Sequence, residues 1–152
     1  MIRYCKQRDN YSCGPVAILN AIKWTGSEWF TYRMLPAIQW VCKTDKNGTH
    51  DEHFNFALKY FEQLGYFKVV KARNTYLTRI QEHLKNGGAM IAAYQESKCD
   101  REWHYAMFLS DMDGQWTVIN HSNGKELFTE YQVSRSLMHK RLDKSAIWLL
   151  NK

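Results

Sequence analysis

Gln7-Arg8-Asp9-Asn10-Tyr11-Ser12-Cys13-Gly14-Pro15-Val16-Ala17 is the stretch that decides how this chain folds. Downstream of it, Ala17, Ile18, Ala21 and Ile22 recur at helical spacing, which predicts a helix from near Cys13 to Trp24 that Gly26 stops. Pro15 suits the first turn, where a missing N–H costs nothing. Cys13 therefore stands at a helix start, where unpaired amides and the positive dipole end favour a thiolate. Gly14, with no side chain, lets a substrate approach the backbone.

A thiolate needs more to perform acyl transfer: an imidazole to exchange its proton and donors aimed at the developing oxyanion. His104 is the candidate imidazole, because it opens an apolar run, His104 to Ser110, that anchors it at a strand end. The next strand, Trp116 to Asn120, returns across an Asp113-Gly114 turn. Asn120 then lies beside His104, where its amide oxygen can accept the second imidazole N–H. His121, Asp111 and Asp113 compete for that role. Gln7 offers a side-chain N–H beside the Cys13 amide as an oxyanion pair.

The rest of the chain supplies the frame. A short strand is expected at Ile2 to Lys6 and a second short helix at Met34 to Val41. Thr49-His50-Asp51-Glu52 reads as a capping box opening a helix that carries Phe54, Ala57, Leu58, Phe61 and Leu64 and ends at Gly65. Another helix spans about Leu77 to Lys85, before Gly87-Gly88. Ala89 to Tyr94 reads as a strand. Thr129 to Gln132 repeats the capping-box pattern and should open a helix through Leu142, and Ala146 to Leu150 closes as a strand. Helices first and mostly antiparallel strands afterwards give α+β, in one domain over residues 1–152.

The order Gln7, Cys13-Gly14-Pro15 with Ala17, then His104 and Asn120, resembles the papain-like cysteine peptidases. The details look most like the bacteriocin-processing, double-glycine leader peptidases and their free-standing relatives. Their mid-chain Gly-Thr-Ser resembles Gly48-Thr49-His50, and their Gly-His-Tyr resembles Trp103-His104-Tyr105. Where they carry Asp-Pro, this chain has Asn120-His121; papain itself uses Asn. The resemblance implies a helical N-terminal half packed on an antiparallel sheet. It also implies a Cys13, His104, Asn120 and Gln7 catalytic set that cleaves a peptide or isopeptide bond through an acyl-enzyme. Transporter-linked members add membrane and ATP-binding segments, which this sequence lacks, so a stand-alone form is expected. The same set serves acyl transfer to an amine or thiol, as in transglutaminase-type enzymes, and an inactive binding module is the other rival.

Composition narrows the remaining classes. The chain has 152 residues, 45% hydrophobic, with 2 prolines and 8 glycines, which excludes collagen-like and disordered chains. The N-terminus lacks the apolar core of a secretory signal, and no run of about eighteen apolar residues could span a membrane. The expectation is a cytoplasmic monomer, or one in the host cytoplasm if a phage or mobile element encodes it. Its 4 cysteines form no CxxC and are expected as free thiols. His50 and His53 share a helix face, but no third ligand stands at a recognisable spacing, so no metal or other cofactor is expected. A net charge of +6 suits a peptide with acidic residues near the cleaved bond. Arg135, His139, Lys140, Arg141 and Lys144 cluster late in the chain, yet no nucleic-acid-binding signature accompanies them, so nucleic acid is not expected as the ligand.

Overall fold

Cys13 does open the first helix, α1 (Cys13–Trp24), and the helix ends through Thr25 into Gly26 at φ +96°. In this computed structural model residues 1–27, 29–72, 77–96, 103–110, 114–122, 127–129, 132–133, 137 and 146–152 are described. Burial of α1 goes beyond one face: Val16, Leu19 and Asn20 are enclosed with the expected Ala17, Ile18, Ala21 and Ile22. A helix apolar nearly all round belongs at the centre of a core. A 3-10 turn (Tyr32–Met34) leads into α2 (Leu35–Cys42), with Pro36 in its first turn. Next come α3 (Asp51–Gln63) and α4 (Leu77–Lys85), the latter ended by Gly87 at φ +85°.

The expected capping box at Thr49 does not form. The N-cap of α3 is His50, and the Thr49 hydroxyl instead meets Thr44 Oγ1 at 2.6 Å. Its methine also packs where a Gly14 side chain would stand: a Cβ there would lie 3.0 Å from Thr49 Oγ1 and 3.4 Å from Phe54. Gly14 thus leaves room for the close approach of Thr49 and Phe54 to the start of α1. The buried face of α3 is Phe54, Ala57, Leu58 and Phe61; Leu64 falls just past the helix and is exposed.

Among the described residues, six strands make one sheet: β1 (Lys68–Lys71), β2 (Ala89–Tyr94), β3 (His104–Ser110), β4 (Gln115–Ile119), β5 (Leu127–Thr129) and β6 (Ile147–Asn151). Their order is β1-β6-β2-β3-β4-β5, with every pair antiparallel. The sheet separates two cores. Ile91, Tyr105, Met107, Trp148 and Leu150 face α1, α2 and α3, whereas Met90, Phe108, Trp116, Val118 and Leu149 face α4 with Val133 and Leu137. Burial on both faces is why β2 and β6 read as continuous apolar runs. Sequence alone misses β1 and β5, which have four and three residues and lie at the sheet edges.

No strand forms at Ile2 to Lys6. Instead, the buried Asn20 amide of α1 accepts from the Cys5 N–H at 2.7 Å and donates to its carbonyl at 2.9 Å. One side chain satisfies the backbone that a strand partner would otherwise satisfy. Asn20→Ala strands both groups in the interior, and unfolding titrations should show a loss of about 2–4 kcal/mol. The capping box at Thr129 does form: the Thr129 N–H donates to Gln132 Oε1 and the Gln132 N–H to Thr129 Oγ1, at 3.1 and 3.2 Å. Gln132, Val133 and Leu137 are helical. The rest of that helix to Leu142, the late basic cluster, Cys99, Asp111 and Asp113 lie outside the described residues. Gly114 has φ +69°, as a turn glycine should. No helix among the described residues is long and apolar enough to cross a membrane.

Candidate active site

The loop before α1 is built by Asp9. Its Oδ1 accepts the Tyr11 and Ser12 N–H groups at 2.9 and 2.7 Å, and its Oδ2 accepts the Ser12 hydroxyl at 2.8 Å. Gln39 Nε2 of α2 donates to the same Ser12 Oγ, also at 2.8 Å. Ser12 therefore spends its side chain on the loop instead of capping α1, and no acidic residue occupies the first turn. The opening amides of α1 are left to other acceptors.

The main-chain N–H groups of Tyr105, Gly14 and Cys13 itself face Sγ and favour its thiolate. The thiol nevertheless sits above its ordinary range, because burial outweighs those amides and the nearby Glu96 carboxylate adds to it. Burial thus opposes the thiolate that the helix start favours. Desolvation of a mostly enclosed sulfur is the larger effect. Cys5, Cys13 and Cys42 are free thiols. Burial pushes the Cys42 thiol up to about 12, with no converging amides to oppose it.

Tyr105 follows His104 on β3, so the amide facing Sγ is adjacent in the chain to the imidazole. His104 Nε2 lies 2.7 Å from the main-chain carbonyl of Asn120 and 3.3 Å from Glu96 Oε1. Burial pulls the His104 pKa below 6.5; the Asn120 carbonyl and Glu96 partly offset this, and His121 adds to it. The expected contact to the Asn120 side chain is absent, since that amide is committed elsewhere. Its Oδ1 accepts the Gln7 N–H and its Nδ2 donates to Gln7 Oε1, both at 2.9 Å. Asn120 has φ +71°, a left-handed conformation that Asn tolerates better than most residues. The chain turns there, and carbonyl and side chain face different neighbours.

Gln7 is thereby fixed between Asn120 and the loop, and its Nε2 donates to the Asp9 carbonyl at 2.8 Å. Nε2 carries two hydrogens, so one remains for another acceptor. Sequence reasoning brings Cys13, His104, Asn120 and Gln7 to one end of the sheet, but it misses Glu96. That residue follows β2, whose last member Tyr94 pairs with His104. The available signal was a carboxylate just after an apolar strand; the register that gives it meaning is not legible in the sequence.

Beside this group, the start of α3 (Thr49 to His53) and Trp103 and Tyr105 enclose a cavity of about 590 Å³. His50 and His53 meet there edge to face, 5.9 Å between ring centres. The Tyr105 hydroxyl donates to Asp51 at the base of α3.

No protein-family model matches the sequence, and no curated protein matches it. Among solved structures, the chain is similar to the peptidase domain of Streptococcus ComA, a bifunctional ABC transporter of a quorum-sensing pathway. The TM-score is 0.67 at 18% identity, over 99% of this chain and 98% of that one. At that identity the likeness is one of architecture: this chain has the papain-like α+β fold of that peptidase domain.

Proposed function

We propose that the chain is a papain-type cysteine peptidase that hydrolyses a peptide or isopeptide bond through an acyl-enzyme on Cys13. The observation that carries this reading is the convergence of the Tyr105, Gly14 and Cys13 amides on the sulfur of a helix-opening cysteine, with the imidazole next in the chain to one of them. Its likeness of fold to a peptidase domain supports it as well. Burial raises the Cys13 thiol above its ordinary range, which favours the protonated form before substrate is attacked. The proton therefore leaves during attack instead of beforehand. The Asn120 carbonyl holds the proton of His104 on Nε2, which leaves Nδ1 to take the one from Sγ.

As Sγ bonds to the scissile carbonyl carbon, the C=O π electrons move to oxygen. The Cys13 N–H and the second Gln7 Nε2 hydrogen stabilise that oxyanion. Collapse breaks the C–N bond, and His104 returns the proton to the leaving amine. Water, deprotonated by His104, then hydrolyses the thioester. The cavity beside Trp103 is the natural seat for a substrate side chain.

The test is a pH profile of Cys13 acylation by a peptide ester, read by mass spectrometry. His104 works as a base only when neutral, and its pKa is lowered. The rate should stay level from neutral pH down to about 6.5 and fall only below that. In His104→Ala the residual reaction should instead climb with thiol ionisation in the alkaline range. A wild-type profile that rises only above pH 8 would overturn base catalysis by His104.

A further inference from the structure

Two ionisable side chains from different parts of the chain, Glu96 and His121, meet behind the candidate catalytic histidine. Glu96, just past β2, has Oε1 3.3 Å from His104 Nε2 and Oε2 3.4 Å from His121 Nε2. His121 is buried and the other two largely enclosed: side-chain exposure is 14% for His104, 10% for Glu96 and 4% for His121. Ser122 clamps Oε2 from the turn after β4, through its hydroxyl and through its N–H at 3.3 Å. Among the described residues the partners of Glu96 are His104, His121 and Ser122. The Tyr94 ring of β2 packs against both imidazoles, at 5.8 and 6.3 Å, and Cys13 lies within electrostatic reach across the site.

We propose that Glu96 is the positioning carboxylate of His104, the role that sequence reading assigns to the Asn120 side chain. This rests on the peptidase reading above. A carboxylate in such surroundings needs a positive partner. It acquires one when His104 takes the Cys13 proton on Nδ1 and becomes imidazolium, so Glu96 favours the charge that attack creates. The Asn120 carbonyl holds the Nε2 hydrogen, which fixes the ring and its tautomer. The Asn120 amide is turned to Gln7 instead, its oxygen accepting the Gln7 N–H and its nitrogen donating to Gln7 Oε1. His121 shares the other oxygen, and a protonated His121 would draw the carboxylate away from His104.

Glu96→Gln keeps the shape and removes the charge, and Glu96→Asp keeps the charge at a shorter reach. Two readouts are needed: the rate of Cys13 acylation by a peptide ester, and the titration of His104 followed by ¹⁵N NMR. Glu96→Gln should slow acylation about 100-fold or more and move the His104 titration to lower pH, with Glu96→Asp in between. A purely structural glutamate would cost folded protein without moving that titration. Should Glu96→Gln fail to fold, Glu96→Asp decides by the same shift. A His104 titration at its wild-type position in the folded variants overturns the assignment. His104→Ala separates the two levels. If it leaves acylation intact, the base reading fails; if it abolishes acylation while the Glu96 variants leave the titration in place, only the role of Glu96 fails.

Discussion

Cys13→Ser should abolish peptide hydrolysis while leaving the fold intact. The oxygen is smaller than sulfur and fits the same pocket of amides, so circular dichroism and thermal unfolding should match the wild type closely. The chemistry does not survive the exchange. A serine hydroxyl is a far weaker acid than a thiol, and the base assigned to it is a histidine whose pKa burial has lowered. Proton transfer during attack, already required of a thiol above its normal range, becomes prohibitive. The expected loss in kcat is on the order of 10⁵- to 10⁶-fold, as for removal of a nucleophile from a catalytic group that acts as a unit. Initial rates on any substrate found by peptide-library screening give the comparison. Activity within tenfold of wild type would mean that the nucleophile is another residue.

The largest stability effect is expected at Trp148. This side chain is wholly buried on β6, opposite Ile91 of β2 and Lys71 of β1. Its ring meets Phe54 of α3 edge-on at 4.9 Å and lies 6.1 Å from the ring of Tyr105. Its Nε1–H donates to Asn55 Oδ1 at 2.9 Å. Trp148→Ala opens a cavity where α3 meets the sheet and removes that hydrogen bond, costing about 3–5 kcal/mol. For a chain of this size the melting temperature should fall by roughly 10–15 °C. Tyr105 packs on Trp148 and presents its amide to Cys13, so the surviving folded protein should also acylate more slowly. A shift of only two or three degrees would show that the indole is not the keystone between α3 and the sheet.

Local chemistry explains what the sequence revealed. The ends of α1 and α4 are marked by glycines that adopt positive φ, Gly26 and Gly87, and β2 and β3 are bounded as their apolar runs suggest. The reciprocal bonds of Thr129 and Gln132 also form as their spacing predicts. Failures arise where a tertiary contact overrides a local rule. Thr49 has the sequence of a capping residue, but Thr44 and the approach of α1 claim its hydroxyl. Ile2 to Lys6 has the texture of a strand, but the buried backbone of Cys5 within it is satisfied by a single Asn20 side chain of α1.

The site divides along the same line. Cys13, His104 and Asn120 can be found because each stands at an element end that sequence can locate, and Gln7 by its place six residues before Cys13. The contacts among them cannot, because they depend on which atom of Asn120 faces the imidazole after a left-handed turn. Glu96 escaped notice for the same reason: its meaning comes from the β2–β3 register and from the turn that carries His121 and Ser122. The acidity of Cys13 is not a local property either. The helix start argues for a thiolate, and burial among residues distant in sequence argues more strongly against one.

The most direct measurement is capture of the covalent intermediate. Wild-type protein would be mixed with a peptide p-nitrophenyl ester at pH 7, quenched in acid within seconds, and mapped by mass spectrometry. The expected result is a burst of p-nitrophenol with the acyl group on Cys13 alone, absent from Cys13→Ser and strongly reduced in His104→Ala. An acyl group spread over Cys5 and Cys42, or no burst while the protein remains folded, would contradict a nucleophilic Cys13.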